Sequence, residues 1–180
     1  MKSRLAVALA FVVPAGFAMA AAEPAGPPKP APEMAQLDVF KGRLKCTGKQ
    51  NASDFGPAHP VKGSAGGTVG LNGFVVTMRY DENKTKENAA PIHAMYDMTY
   101  DAAAKQFVSV GFDNMGGRAT LTSKGWDGDK FVLTGEVSMA GQKIAVRDTF
   151  TKTKDGLMHT GEMQGRDGKF FVLDEETCKR

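Results

Sequence analysis

From Gly42 onward the chain is built of short runs in which apolar residues alternate with polar ones. These runs are rich in β-branched and aromatic residues, and they cover residues 44–48, 68–71, 74–80, 93–100, 107–112, 119–122, 131–137, 143–150, 157–163 and 170–173. A period of two places one set of side chains on each face of an extended strand. The pattern therefore predicts about nine or ten β-strands.

Turn signals separate the later strands at a regular interval. Turns near residues 115, 127, 140, 155 and 167 are 12, 13, 15 and 12 residues apart, and three of them are Asp-Gly pairs. Asp-Gly favours a tight hairpin turn, whose central residues need positive φ. Parallel strands would need crossover connections of about a dozen residues or more, for which there is no room. We expect an all-β, antiparallel meander.

This number of strands favours a closed barrel, because roughly eight or more strands suffice for a small barrel and closure removes exposed sheet edges. A β-sandwich is the competing architecture, although sandwiches usually have longer Greek-key connections. We therefore expect residues 34–180 to form a single antiparallel β-barrel domain of about nine or ten strands.

Two segments of the chain do not fit the strand pattern. Met34, Leu37 and Phe40 recur every third residue after Pro32, which predicts a short N-terminal helix that covers part of the barrel as a lid or plug. The glycine-rich run at residues 63–67 precedes a predicted strand and lacks the lysine and helix of a phosphate-binding loop. We interpret that run as a flexible turn.

The N-terminal segment has the pattern of an export signal. Lys2 and Arg4 precede an apolar run from residue 5 to residue 17, and small residues at 18–22 offer cleavage sites. The run is short for a bilayer span of about 20 residues. Residues 1–22 are therefore predicted to be a bacterial Sec-type signal peptide. Residues 23–33 are rich in proline and alanine and are interpreted as a linker. We expect a periplasmic or secreted protein with no transmembrane segment after cleavage.

Charge and composition exclude one class of function. The whole chain has 23 basic and 20 acidic residues, and loss of Lys2 and Arg4 leaves 21 against 20, a net charge of +1. Proteins that bind nucleic acids depend on neutralising phosphate charge with basic patches. The sequence predicts no nucleic-acid partner, and it does not determine the oligomeric state.

The two cysteines, Cys46 and Cys178, bracket the predicted barrel. In an exported chain, such a pair is most simply interpreted as one disulfide, with two free thiols as the alternative. A disulfide would join the last residues to the first predicted strand.

Several of these features resemble the bacterial DUF1579 family, whose function is unknown. The resemblance rests on Phe40-Lys41-Gly42, Leu44-Lys45-Cys46, the glycine-punctuated hairpins and the closing residues 174–180, and it covers about residues 34–180. It implies a lipocalin-like barrel without an established activity. Lipocalins carry Gly-x-Trp on the first strand, where this chain has Gly42-Arg43-Leu44.

The candidate ligand-binding residues are those that the two-residue period places together on strands. His93 and Met95 share one strand face, and His159 and Met163 share another. Arg147 adjoins Asp148, so one of the two faces inward; an inward Arg147 would pair with a ligand carboxylate. The alternative places Arg147 on the solvent face, paired with Glu136 or Glu162. Asp174, Glu175 and Glu176 are interpreted as a solvated terminal face.

No sequence motif indicates an enzyme. The chain has no Gly-x-Ser-x-Gly elbow, no HExxH motif and no P-loop, so we predict no catalytic residue, no metal site and no cofactor. Two alternatives stay open. His159, near the small Gly161, is a candidate haem ligand of the kind that nitrobindin barrels use, and histidine with methionine at His93 or His159 is a candidate copper site.

The eight methionines outside the signal segment suit a lining that adapts to apolar ligands, although methionine is also a common core residue. The leading hypothesis is therefore an exported barrel that binds a small apolar or lipid-like molecule. The alternative is a solid-cored structural or interaction protein of the cell envelope without a small-molecule ligand.

The export hypothesis makes a direct prediction about the mature N-terminus. When the protein is produced in a related bacterium, the chain recovered from the periplasm or medium should begin at residue 21 or residue 23, as signal peptidase cleaves after small residues. Denatured intact-mass spectrometry measures this. Full-length chain retained in the membrane fraction would contradict the prediction.

Overall fold

The structure, a computed structural model, describes residues 26–180. The predicted signal peptide at residues 1–22 and the first three residues of the predicted linker lie outside this range. The described chain contains eleven strands: β1 (Gly42–Gln50), β2 (His59–Gly70), β3 (Val75–Glu82), β4 (His93–Asp101), β5 (Gln106–Asp113), β6 (Arg118–Ser123), β7 (Trp126–Asp127), β8 (Lys130–Met139), β9 (Gln142–Thr153), β10 (Gly156–Gln164) and β11 (Phe170–Lys179).

Ten of these strands form a closed antiparallel barrel. Strands that are adjacent in the chain pair with each other, with one exception. The two-residue β7 pairs only with the first residues of β8, and the rest of β8 pairs directly with β6. The ring closes where β1 pairs with β11, from Lys45 with Lys179 to Gln50 with Asp174. The predicted meander barrel is confirmed, and the β-sandwich is excluded because no strand edge separates two sheets.

A 3₁₀ helix at Pro32–Phe40 packs against one end of the barrel. Met34, Leu37 and Phe40 are buried there, as their three-residue spacing predicts for a helix with three residues per turn. The Phe40 ring packs against Trp126, Phe131 and Phe150, with ring centroids 5.1–6.2 Å apart. The helix therefore fills the end of the barrel where β1 begins and β11 ends.

The glycine-rich run at residues 63–67 is not a turn, and this prediction was wrong. These residues form the middle of β2, paired with β1 on one side and β3 on the other. A Cβ at Gly66 would lie 2.3 Å from the carbonyl oxygen of Gly42. Glycine is used here because neighbouring backbones approach closely in a tightly curved barrel, and not because the chain reverses direction.

A disulfide joins Cys46 and Cys178, which lie directly opposite each other on β1 and β11. Both cysteines point into the barrel and are buried. The predicted pairing is confirmed, and it lies on the strand pair that closes the ring.

Within residues 26–180, no helix has both the length and the hydrophobicity needed to span a bilayer.

Replacement of both cysteines should destabilise the barrel strongly. The disulfide spans 132 residues of sequence, and in the chain-entropy model closing so long a loop stabilises by up to about 4–5 kcal/mol. The Cys46→Ala/Cys178→Ala variant should therefore lose several kcal/mol of unfolding free energy, measured by urea denaturation. Wild-type protein whose disulfide is reduced should have the same unfolding free energy as this variant. A loss below about 1 kcal/mol would contradict a stabilising role for this bond.

Candidate ligand cavity

The interior of the barrel contains a cavity of about 240 Å³. It extends toward the end opposite the 3₁₀ helix, because Gln50, Glu82, Asp113 and Met139, which line it, lie at the strand ends on that side. The barrel therefore has two different halves. The helix and a cluster of aromatic rings fill one half, and the other half holds the cavity.

Most of the cavity wall is apolar and is formed by inward side chains of eight strands. Among them are Met78, Met98, Leu121, Leu133, Val146 and Met163. Methionine adapts to irregular shapes because its unbranched side chain has three rotatable bonds. Such a wall suits an apolar molecule without imposing one shape on it.

A polar cluster lies on one side of this cavity, centred on His159 of β10. The Nε2 atom of His159 is 3.3 Å from Oδ1 of Asp148, and its Nδ1 atom is 3.0 Å from Oδ2 of Asp174. The imidazole also packs against the Phe150 ring, with centroids 4.8 Å apart. Asp148 lies on β9 and Asp174 on β11, so the two neighbouring strands hold the imidazole between two carboxylates.

The backbone makes room for this arrangement at Gly161. A Cβ at Gly161 would lie 2.3 Å from Oδ1 of Asp174, so a larger residue would displace that carboxylate. The pairing also shifts here, because Gly161 pairs with Asp174 whereas Glu162 pairs with Val172. The extra residue, Leu173, forms a β-bulge, and such bulges redirect side chains next to sites. Leu173 and Asp174 consequently both line the cavity.

Glu176, two residues along β11, extends the cluster. Its residue exposure is 6%, and burial raises the pKa of its carboxyl to about 7, although the hydrogen bond with Tyr80 partly opposes this shift. Burial and the neighbouring Glu176 in turn raise the pKa of Tyr80, so its phenol stays protonated. Tyr80 and Glu176 therefore form a buried donor–acceptor pair beside Asp174.

The charge on His159 depends on its neighbours. Burial alone would lower its pKa, but Asp174 and Asp148 outweigh burial and raise the pKa of His159 well above 6.5. The free protein therefore holds an imidazolium between two carboxylates, with a further acidic group at Glu176. The cluster is acidic overall, since a single positive charge faces Asp148, Asp174 and Glu176.

The structure brings together two of the five residues that the sequence suggested as barrel lining. His159 and Met163 both line the cavity. His93 and Met95 lie on the outer face of β4, because Ala94, Tyr96 and Met98 occupy its inner positions. His93 is half exposed and contacts Asp81 on the barrel surface at 3.0 Å. The expectation that His93 and Met95 line the barrel is therefore corrected.

Arg147 also lies outside the barrel, which corrects the inward interpretation in favour of its alternative. It makes a two-pronged contact with Glu162, and its guanidinium lies 5.0 Å from the centre of the Phe170 ring. Val146 and Asp148 occupy the inner positions on either side of Arg147. The inward member of the Arg147–Asp148 pair is thus the carboxylate.

Sequence reasoning missed the acidic part of the cluster. The charged run at residues 174–176 predicts a solvated face, whereas Asp174 and Glu176 both line the cavity. The available signal was the parity of β11: counting back in twos from Cys178, which the disulfide turns inward, reaches Glu176 and Asp174. Three consecutive acidic residues look like a uniformly solvated run, and this hides the alternation of the strand. Of the three, only Glu175 faces away from the cavity.

The geometry does not fit the haem alternative. Both ring nitrogens of His159 have a carboxylate oxygen within 3.3 Å, so neither is free to approach a large planar group. The cavity of about 240 Å³ is also smaller than the roughly 300–1,000 Å³ of sites for drug-sized ligands. A copper site of His93 and Met95 would lie on the outer surface and displace the contact with Asp81.

Comparison with known proteins identifies the fold and no more. No family model matches the chain, and no curated protein matches it. Among solved structures, Rv2717c from M. tuberculosis is similar, with a TM-score of 0.67 and 10% sequence identity. The match covers 84% of this chain and 99% of that one. At this identity, the likeness supports the barrel architecture alone.

Glu176 should make the free protein less stable as the pH rises. The pKa of its carboxyl in the folded protein, about 7, lies above the ordinary value of 4.5, so the folded state holds its proton more tightly than the unfolded state. Stability should therefore fall between about pH 4.5 and 7, by roughly 3 kcal/mol at 1.36 kcal/mol per unit. His159, whose folded pKa is also raised, should add a further loss at higher pH.

The Glu176→Gln variant should lose the Glu176 part of this pH dependence and be more stable than wild type at pH 8. Urea denaturation of both proteins at pH 5, 6, 7 and 8, with a chelator present, measures the free energy of unfolding at each pH. If the free energy of unfolding changed with pH by the same amount in wild type and in Glu176→Gln, the prediction that Glu176 titrates in this range would be contradicted.

Proposed function

We propose that this barrel binds a small, largely apolar molecule that carries one polar group. The observation that supports the proposal is the open cavity of about 240 Å³ with a methionine- and leucine-rich wall and a polar cluster centred on His159. Binding sites for small molecules combine an apolar lining with a few placed polar groups. The same combination lines this barrel.

The size of the cavity limits the ligand. Because about 240 Å³ lies just below the usual range of about 300–1,000 Å³, the occupant is a compact ring compound or a short acyl chain rather than a full phospholipid. Apolar surface buried against this wall contributes about 25 cal/mol per Å², which supplies most of the affinity.

The polar group of the ligand would lie against His159, Asp174 and Glu176. These side chains form one polar part of the wall, beside Phe150 and Cys178, whereas other polar groups line the cavity nearer its other end. A donor or a basic group would match the acidic character of this cluster. The apolar remainder would extend toward Val137, Met139 and Ile92 near the other end.

Export and membership of the DUF1579 family are part of the same proposal. The Cys46–Cys178 disulfide suits an oxidising compartment such as the periplasm, and the N-terminal sequence pattern supports a cleaved signal. The solid-cored structural role is less favoured, because a protein with no ligand gains nothing from leaving this volume unfilled.

Filling the cavity should weaken the binding of an apolar probe. Ala119 of β6 lines the cavity, and its neighbour Thr120 points outward. Ala119→Phe should weaken binding of N-phenyl-1-naphthylamine at least tenfold by occupying its space, whereas Thr120→Phe should leave affinity unchanged. Fluorescence titration measures both affinities.

Ala119→Leu, a smaller change, serves if Ala119→Phe overpacks the core. Equal affinity in wild type and in all folded Ala119 variants would contradict binding inside the barrel. Native mass spectrometry of the protein from its own host would supply the identity of the natural ligand.

A further inference from the structure

Three donor atoms of the polar cluster converge on one point of the cavity wall. An imidazole nitrogen of His159 and carboxylate oxygens of Asp174 and Glu176 lie within 4.8 Å of one another. They come from two adjacent strands, β10 and β11, whose pairing places His159 opposite Glu176. One nitrogen and two carboxylate oxygens are a donor set that first-row divalent metal ions accept.

One of these atoms lacks a partner. Oε2 of Glu176 is a buried side-chain oxygen without a hydrogen-bond donor, whereas Oδ2 of Asp174, which is also buried, lies 3.0 Å from Nδ1 of His159. Glu176 is 94% buried, since its exposure is 6%, and it faces the cavity. A buried acceptor left unpaired costs about 1–3 kcal/mol, and more when it is charged. The unpaired oxygen therefore belongs to a carboxylate that converges with His159 and Asp174 on the same point of the cavity wall.

The third carboxylate is placed to orient the imidazole. Asp148 lies 3.3 Å from Nε2 of His159, on the side of the ring away from Asp174. A metal-binding histidine usually donates its other N–H to a carboxylate, which sets the tautomer and the direction of the ring. With its proton on Nε2 directed at Asp148, His159 would present the lone pair of Nδ1 toward Asp174 and Glu176.

We propose that His159, Asp174 and Glu176 bind one divalent transition-metal ion of the zinc class, with Asp148 as the residue that positions His159. Nδ1 of His159 and Oδ2 of Asp174 are 3.0 Å apart, close to the roughly 3.4 Å between two donors that hold a tetrahedral ion at about 2.1 Å. Three protein ligands leave a fourth position open, on the side of the cavity. In the free protein, a proton on His159 takes the place of the ion.

A second grouping on the same wall does not compete for the ion. Cys46 and Cys178 lie near Glu176, but both sulfur atoms are in the disulfide and carry no thiolate. Thiolate is the form in which cysteine binds metals. The imidazole and the two carboxylates are therefore the donors available at this point.

The metal site does not depend on the proposed organic ligand. An ion bound by three side chains would stay bound in a barrel that fails to take up N-phenyl-1-naphthylamine, and the probe could bind without the ion. The two proposals therefore fail separately.

Calorimetric titration with Zn²⁺ tests the inference. Protein without a polyhistidine tag, with its disulfide intact and freed of metal by a chelator, should bind one ion per chain with micromolar or tighter affinity. Glu176→Gln should weaken binding at least tenfold, because it keeps the size of the side chain and removes the charge. Asp148→Asn should weaken it by about 10–100-fold, as loss of an orienting partner does.

The surface pair His93–Asp81, with an imidazole 3.0 Å from a carboxylate, supplies the matched control. His93→Ala should bind Zn²⁺ as wild type does, and the near-ultraviolet circular dichroism of every variant should match wild type. Visible absorption of the Co²⁺-loaded protein should show a low-symmetry site that Glu176→Gln alters.

The inference is overturned if wild type binds no stoichiometric Zn²⁺. It is equally overturned if folded Glu176→Gln binds as tightly as wild type, or if His93→Ala and not Glu176→Gln removes the binding, which would place the ion on the outer surface.

Discussion

The pairing of β1 with β11 is the contact on which the rest of this structure depends. Every other pair in the ring joins strands that are neighbours in sequence or are separated only by the two-residue β7. Such local pairs form as hairpins whether or not the sheet closes. Only the β1–β11 pair joins the two ends of the domain, and the Cys46–Cys178 disulfide lies within it. Without this pair, the meander would be an open sheet with two free edges and no interior.

Closure also creates the chemistry of the interior. β11 contributes Asp174 and Glu176, β10 contributes His159, and β9 contributes Asp148. The cluster therefore lies on three consecutive strands, β9 to β11, the last of which belongs to the closing pair, and one cysteine of the disulfide is on the same strand as Asp174 and Glu176. The bulge at Leu173 and the small Gly161 then adjust the two strands so that the carboxylates reach the imidazole.

The interior is not optimised for stability alone. The half near the 3₁₀ helix is filled by the rings of Phe40, Phe107 and Phe131, all of which are buried. The other half keeps an unfilled volume and a carboxyl group whose pKa burial raises to about 7. An apolar side chain in place of Glu176 would avoid that cost. A protein that keeps both the cavity and the buried acid uses them for binding, in the interpretation that we propose.

The sequence by itself determined most of the strands, the meander, the apolar face of the N-terminal helix and the pairing of the cysteines. Each of these depends on local periodicity, turn chemistry or the presence of only two cysteines. It also determined that His93 and Met95 share one face and that His159 and Met163 share another. It did not determine which face is inside, because a period of two is unchanged when the whole strand is turned over.

The tertiary structure decided which face of each strand points into the barrel. It turned His93, Met95 and Arg147 outward, and it turned Asp148, Asp174 and Glu176 inward, against the usual preference of carboxylates for solvent. It also decided that residues 63–67 continue a strand, since the close approach of neighbouring backbones arises only when the sheet curves into a ring. Both outcomes follow from closure, which depends on contacts between residues more than a hundred positions apart and therefore leaves no local pattern in the sequence.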